Sequence, residues 1–372
     1  MSSSQSIFST PLTMLFQINH PVMLAGMNIA AGPRLAAAVT NAGKLMITTP
    51  ILERLHSCIV GGVGVIGGVL QSPKFLRGSL DELKSYLEDK SGPFGVDLLL
   101  PQVGGSAKKT NRDYADGQLP KLIDVIIRGK ASLFVCAVGV PPKWAVEKLH
   151  AAGIPVMKSI LARNRCEAIF QCLYIAIAGV DSICAQGGEG GGHTGDTAFS
   201  ILIPAVVDAC KGRTSPLTGE PIVVVAAGGI ADGRGLAASP RVSLTPLSMD
   251  FGDDSRSISR YGASGVWVGT RFLASVEAGA PKRHKEMVLT ADYNDVTRTL
   301  IYSGRPMSVR KTAYVVDWES NRRAEMCALL AEGKVPHEIE LLSHPDKSIP
   351  GFAWVMGRVA GSINDIKPAK EM

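Results

Sequence analysis

Eight short apolar runs recur along the chain, at 21–25, 64–67, 95–100, 133–137, 155–158, 182–186, 222–227 and 265–269. Each is continuous rather than alternating, the pattern of a strand covered on both faces. The segments 33–41, 79–87, 119–128, 144–152, 201–210 and 232–238 separate them; they are rich in Ala, Leu, Lys or Glu, most are bounded by Gly or Pro, and they predict helices. Strands joined by helical crossovers pair in parallel, because the crossover returns the chain to the same end of the sheet. A doubly wound open sheet and a closed (β/α)8 TIM barrel both fit. The barrel is favoured, because glycine-rich polar signals follow the strand ends and the two strongest phosphate-loop signals follow the last two strands, on the rim where barrel sites lie. After Thr270 the pattern turns helical and charged, through 282–290, 318–331 and 351–363, with no further convincing strand. The expected organisation is a barrel over 10–305 and a C-terminal helical extension over 306–372.

Composition supports a large core: 46% of the 372 residues are hydrophobic, 19% are charged, and the low charge excludes a disordered chain. The net charge of +6 is spread out, with no basic run interleaved with aromatics, so nucleic acid is not an expected partner. A mild positive balance suits an anionic ligand. Seven cysteines lie at 58, 136, 166, 172, 184, 210 and 327, without CxxC pairs or zinc spacing. They read as reduced, largely buried thiols of a cytoplasmic protein that binds no metal. No basic leader precedes residue 16 and no apolar stretch approaches the ~18 residues of a membrane span, so neither secretion nor a membrane is expected.

The most specific segment follows the sixth strand: Gln186-Gly-Gly-Glu-Gly-Gly191-Gly-His193, within a run holding six glycines in the nine residues after Gln186. Such a backbone can approach a planar ring closely. His193 within it can exchange a proton near neutral pH, and it is the candidate acid/base. His20 reads as a capping or packing residue, and the histidines at 56, 150, 284, 337 and 344 as surface residues. Gly228 and Gly229 follow the seventh strand and lead to a helix whose N–H groups would receive a phosphate. Gly269 and Thr270 end the eighth. Together they fit the barrel phosphate site between the last two strands.

These residues resemble the nitronate monooxygenase family, formerly called 2-nitropropane dioxygenases. The resemblance lies in Pro21-Val-Met-Leu-Ala-Gly-Met27, Gly62-Val-Gly-Val-Ile-Gly-Gly68, Pro93-Phe-Gly-Val-Asp97-Leu, the segment from Gln186 to His193, Ala226 to Gly235, and Trp267-Val-Gly-Thr-Arg-Phe-Leu-Ala-Ser275. It covers most of the chain. It implies FMN across the barrel mouth, contacts at Met27, Gln186, Gly191, Gly228, Gly229, Trp267, Val268, Gly269 and Thr270, and His193 as base. Asp97 stands where the family is associated with a flavin-contacting asparagine, and a carboxyl can donate that hydrogen bond only when protonated. One phosphate cradle, with no GxGxxG opening the chain, points to FMN rather than FAD. The implied reaction oxidises alkyl nitronates or nitroalkanes with O2 to carbonyl compounds and nitrite. An NAD(P)H-dependent quinone or enoyl reductase is the alternative on the same fold, and a degenerate, non-catalytic flavin binder is a third reading. A homo-oligomer is compatible with the sequence.

Three stretches depart from the pattern. The segment 44–61 separates a helix from a strand that should follow almost directly, 159–178 ends in a nearly unbroken apolar run where an outer helix should face solvent, and 240–260 is broken by Pro240, Pro246 and Gly252. Lineage-specific insertions and translated non-coding sequence explain them equally well.

Overall fold

The structure, a computed structural model, describes residues 9–42, 61–101, 109–162, 167, 178–239 and 261–372, with the backbone alone at 242–243 and 257–258. Eight parallel strands form one sheet: β1 (Val22–Leu24), β2 (Gly64–Gly67), β3 (Phe94–Leu100), β4 (Leu133–Val138), β5 (Val156–Ile160), β6 (Ser182–Gln186), β7 (Val223–Ala227) and β8 (Gly265–Val268). Of the seven pairings six follow chain order, from β2 to β8, and the seventh joins β1 to β8. A parallel bridge between Met23 and Val63 joins β1 to the start of β2, with Leu24 N donating to Val63 O at 2.9 Å and Val63 N to Val22 O at 3.0 Å. The sheet therefore closes into a barrel and leaves no free edge.

Closure sorts each apolar run into two cores. Met23, Val65, Val135, Met157, Val225 and Trp267 fill the interior, and Leu12 and Phe16 of the helix Pro11–Phe16 close its lower end. Leu24, Ile66, Val96, Phe134, Ile183 and Val266 face outward against the helix layer, meeting Leu35, Leu80, Leu122 and Leu202. Fully burying one such side chain contributes roughly 1.5–3 kcal/mol, which is why both strand faces are apolar. The expected helices form at Pro33–Asn41, Pro73–Tyr86, Leu119–Arg128, Lys143–Ala151, Phe199–Cys210 and Gly233–Ala238.

Beyond β8 the expectation of helices alone is corrected. Val296–Thr299 and Met307–Arg310 pair antiparallel, and Gly192–His193 adds to them as a third strand, with Met307 opposite His193. The helices Lys282–Leu289, Ala313–Ser320, Arg323–Ala331 and Pro336–Ser343 surround this small sheet in sequence, whereas 351–363 is largely irregular with one 3-10 turn, Arg358–Ser362. Among the described residues no helix is long and apolar enough to cross a membrane.

Most of each anomalous stretch, 43–60, 163–166, 168–177 and 240–260 apart from two short strands, lies outside the described residues. The flanks are informative. Gly61 N donates to Thr40 O at 2.8 Å, and Ala263 N donates to Ser239 O at 3.2 Å, so the described residues flanking each of these two stretches lie side by side. Loops with adjacent ends are removed at little cost. Deleting 44–60, and keeping Gly61 because its carbonyl accepts from His20 N at 2.9 Å, is expected to raise soluble yield and preserve ligand binding. Unfolding of the deletion variant, followed by circular dichroism, would show the stretch to be an integral element.

Candidate active site

The carboxyl ends of the strands open into a cavity of about 570 Å3, a size suited to a small organic ligand. Met27, Asp97, Gln186, Gly191, His193, Gly228, Gly229, Trp267, Gly269 and Thr270 all line it. Val268, expected with them, does not: its side chain packs in the outer core and its carbonyl accepts from Ala25 N at 2.9 Å. Neighbouring residues of a strand point to opposite faces, so Trp267 and Val268 cannot both face the cavity.

The glycine-rich loop after β6 folds over the mouth. The Gln186 side-chain amide donates to Gly191 O at 3.2 Å and His193 O at 3.0 Å, fixing the loop's shape. A Cβ on Gly191 would lie 2.8 Å from both Gly357 N and Met356 C. The absence of a side chain at Gly191 thus admits the returning C-terminal segment. Glu189 turns back to accept from Phe199 N at 3.0 Å, satisfying the first turn of Phe199–Cys210.

His193 is held at both levels. Its backbone belongs to the small sheet, and its Nε2 lies 3.0 Å from Ser303 Oγ, which in turn accepts from Arg305 N at 3.3 Å. The other ring nitrogen has no partner among the described residues. Burial first, and the Arg305 guanidinium second, push the imidazole down to about 4, because both disfavour a second positive charge. The ring is neutral at physiological pH and available as a proton acceptor.

Two turns, after β7 and β8, complete the rim beside the glycine-rich loop. Gly228 and Gly229 follow β7 with φ of +99° and +71°, a left-handed pair that few other residues could adopt, and a Cβ on Gly228 would lie 3.1 Å from Gly187 O. Gly269 and Thr270 follow β8. Thr270 Oγ1 accepts from Gly357 N at 3.0 Å, and Arg271 binds Asp365 at 2.9 Å, so the C-terminal segment braces this turn. The helix Gly233–Ala238 does not serve as expected: Asp232 accepts from Arg234 N at 2.9 Å and Gly235 N at 3.2 Å, placing a carboxylate at that helix end.

Asp97 projects from β3 into the cavity wall. It is 5% exposed, and its Oδ1 has no hydrogen-bond partner. Burial pushes its carboxyl up to about 7 despite the opposing charge of Lys158.

The remaining wall comes from residues that carry no sequence signal: Tyr114, His284, Tyr302, Ser303, Met307 and Phe352. The alternation in Val-Thr-Arg-Thr299 and Met-Ser-Val-Arg310 around the Ser303-Gly-Arg-Pro turn was the available clue to the hairpin that supplies Ser303 and Met307. Three histidines read as surface residues are engaged. His284 is buried and lies 2.9 Å from Val355 O, His150 pairs with Asp181 at 2.8 Å, and His337 meets the Tyr314 hydroxyl at 3.0 Å. Cys136, Cys184 and Cys210 are buried free thiols, whereas Cys327 is exposed. Among the described residues no group of three His, Cys, Asp or Glu side chains could hold a metal ion.

A closed parallel barrel with paired left-handed glycines on its rim and a buried imidazole at its mouth defines a (β/α)8 enzyme that acts on a small molecule. The sequence model of the nitronate monooxygenase family matches residues 57–242 and 252–372, and the chain belongs to that family of flavin oxidoreductases. A (3aS,4S,5R,7aS)-5-hydroxy-7a-methyl-1-oxo-octahydro-1H-indene-4-carboxyl-CoA dehydrogenase of Rhodococcus jostii (strain RHA1) is 33% identical over 94% of this chain and 76% of its own length. The protein named "Probable nitronate monooxygenase" in Staphylococcus saprophyticus is 27% identical over 80% of this chain and 77% of its own. Among solved structures, FabK from Thermotoga maritima is similar with a TM-score of 0.66 and 27% identity, covering 98% of this chain and 93% of the other.

Proposed function

We propose that this chain is an FMN-dependent nitronate monooxygenase, oxidising alkyl nitronates with O2 to carbonyl compounds and nitrite. The observation that carries the proposal is His193, held by Ser303 at a cavity whose rim also carries the left-handed Gly228–Gly229 turn. FMN fits the residues present, since the cavity is lined by the paired left-handed glycines and by Asp97, whose buried Oδ1 lacks a partner. When bound, FMN supplies the redox chemistry with oxygen. The Gly228–Gly229 and Gly269–Thr270 amides would hold its phosphate, and Met27, Gln186, Gly191 and Trp267 would border it. His193 takes the α-proton of a neutral nitroalkane. The Arg305 guanidinium beside it favours the resulting nitronate anion.

A second reading is supported by the relative of 33% identity, whose name specifies a CoA-ester dehydrogenase: the same imidazole could move a proton α to a thioester carbonyl, with NAD(P)H or a CoA ester exchanging electrons with the flavin. One set of measurements separates the readings. Purified protein is expected to be yellow, to consume oxygen on addition of nitronate, and to remain oxidised under anaerobic NAD(P)H. Anaerobic bleaching by NAD(P)H without nitronate-dependent oxygen uptake supports the reductase reading, and soluble protein that binds no flavin supports a non-catalytic chain.

A further inference from the structure

Of the acids that line the cavity, Asp97, Glu189 and Glu338, Asp97 is the buried one. Asp97 stands on β3 with Gly26 packed against it so closely that a Cβ on Gly26 would fall 2.2 Å from Asp97 Oδ2. That contact confines the carboxyl to the cavity wall. Its Oδ1 is buried and unpartnered, and the residue lines the same cavity as His193 and Gly228. An ionised carboxylate left without donors in such a place costs several kcal/mol, whereas a protonated carboxyl is a neutral donor looking for an acceptor.

We infer that Asp97 carries a proton in the working protein and donates it as a hydrogen bond to an acceptor atom on the ring of bound flavin, so that the protonated chain is the flavin-binding form. The inference rests on the FMN reading above. It follows from a buried carboxyl oxygen that no donor among the described residues reaches, a mismatch that a proton relieves. The titratable groups that interact with Asp97 are few. Lys158 on β5 is 4% exposed, donates to Ser159 O, and is itself pushed down by burial; it partly offsets the rise at Asp97 without reversing it. Cys136 on β4 and Cys184 on β6 are buried thiols pushed up by burial, and they stay neutral over the accessible range. The carboxyl at about 7 then sits at the boundary of physiological pH. Because its folded value is raised, the donor form is complete below that pH and is lost as pH rises through it.

The test is the dissociation constant of FMN as a function of pH, read by flavin fluorescence, for the wild type and Asp97→Asn. Asparagine has the shape of the acid and keeps a donor that does not titrate. If only the protonated chain binds, the competent fraction falls and wild-type affinity drops about 30-fold from pH 6 to 8.5, while Asp97→Asn stays within about threefold. Both proteins share the titration of the FMN phosphate, so their ratio isolates Asp97. Equal pH dependence in the two proteins, or wild-type affinity that rises with pH, overturns the inference while leaving FMN binding established. Absence of FMN binding by both proteins at every pH overturns the underlying reading as well. Should Asp97→Asn fail to fold, calorimetry on the wild type at pH 8 in two buffers of different ionisation enthalpy decides: net proton uptake on binding FMN supports a protonated Asp97, and none refutes it.

Discussion

His193→Asn is expected to retain flavin and to lose activity on a neutral nitroalkane by about 10²-fold or more, the usual size of a general-base contribution. Asparagine keeps a polar side chain beside Ser303 and leaves the 192–193 backbone in the small sheet, so the cavity wall should persist. Activity on pre-formed nitronate should fall much less, since the proton is already gone. Equal losses on the two substrate forms, measured as kcat/KM, would assign His193 a binding role instead. The pH profile provides a second check with a definite sign. A base pushed down to about 4 is neutral above that value, so the wild type should hold its rate on nitroalkane as pH falls from 7 to about 5 and lose it only near 4. A decline already centred near 6.5 would mean that the imidazole is solvated as in a free peptide.

The second large effect is expected at Gly229→Asp. The position has φ of +71°, and a Cβ there would meet only Glu189 Cβ, at an ordinary 3.5 Å. Aspartate tolerates the left-handed region better than most residues, so the fold should survive. The new carboxylate would lie in the rim proposed to hold the phosphate. Repulsion of like charges at ~4 Å amounts to roughly 4 kcal/mol in a partly solvated site, less after screening, or about 10²-fold in affinity. FMN should therefore be lost on gel filtration, while Gly229→Asn, of equal shape and no charge, should retain most of it. Undiminished binding by the aspartate variant would remove Gly229 from the phosphate site. Matching losses in both variants would assign the effect to backbone strain.

The strands, most helices and the left-handed glycines of the rim were legible because each leaves a local mark. A strand covered on both faces must be apolar throughout, and a turn with positive φ selects glycine. The sequence therefore determined eight strands, their parallel order and the position of His193 after the sixth. Its limits have the same origin. A continuous apolar run does not say which alternate residues face inward, so Trp267 and Val268 looked equivalent until closure of the barrel set them on opposite faces. The two-residue strand Gly192–His193 has no pattern of its own and exists only through its pairing with Met307 and Ser308. Ser303, Arg305 and the returning segment at Gly357 reach the site from more than a hundred residues away in sequence. The charge states of His193 and Asp97 likewise belong to the tertiary structure, because a pKa is moved by burial and by neighbouring charge, and neither exists until the chain has closed around them.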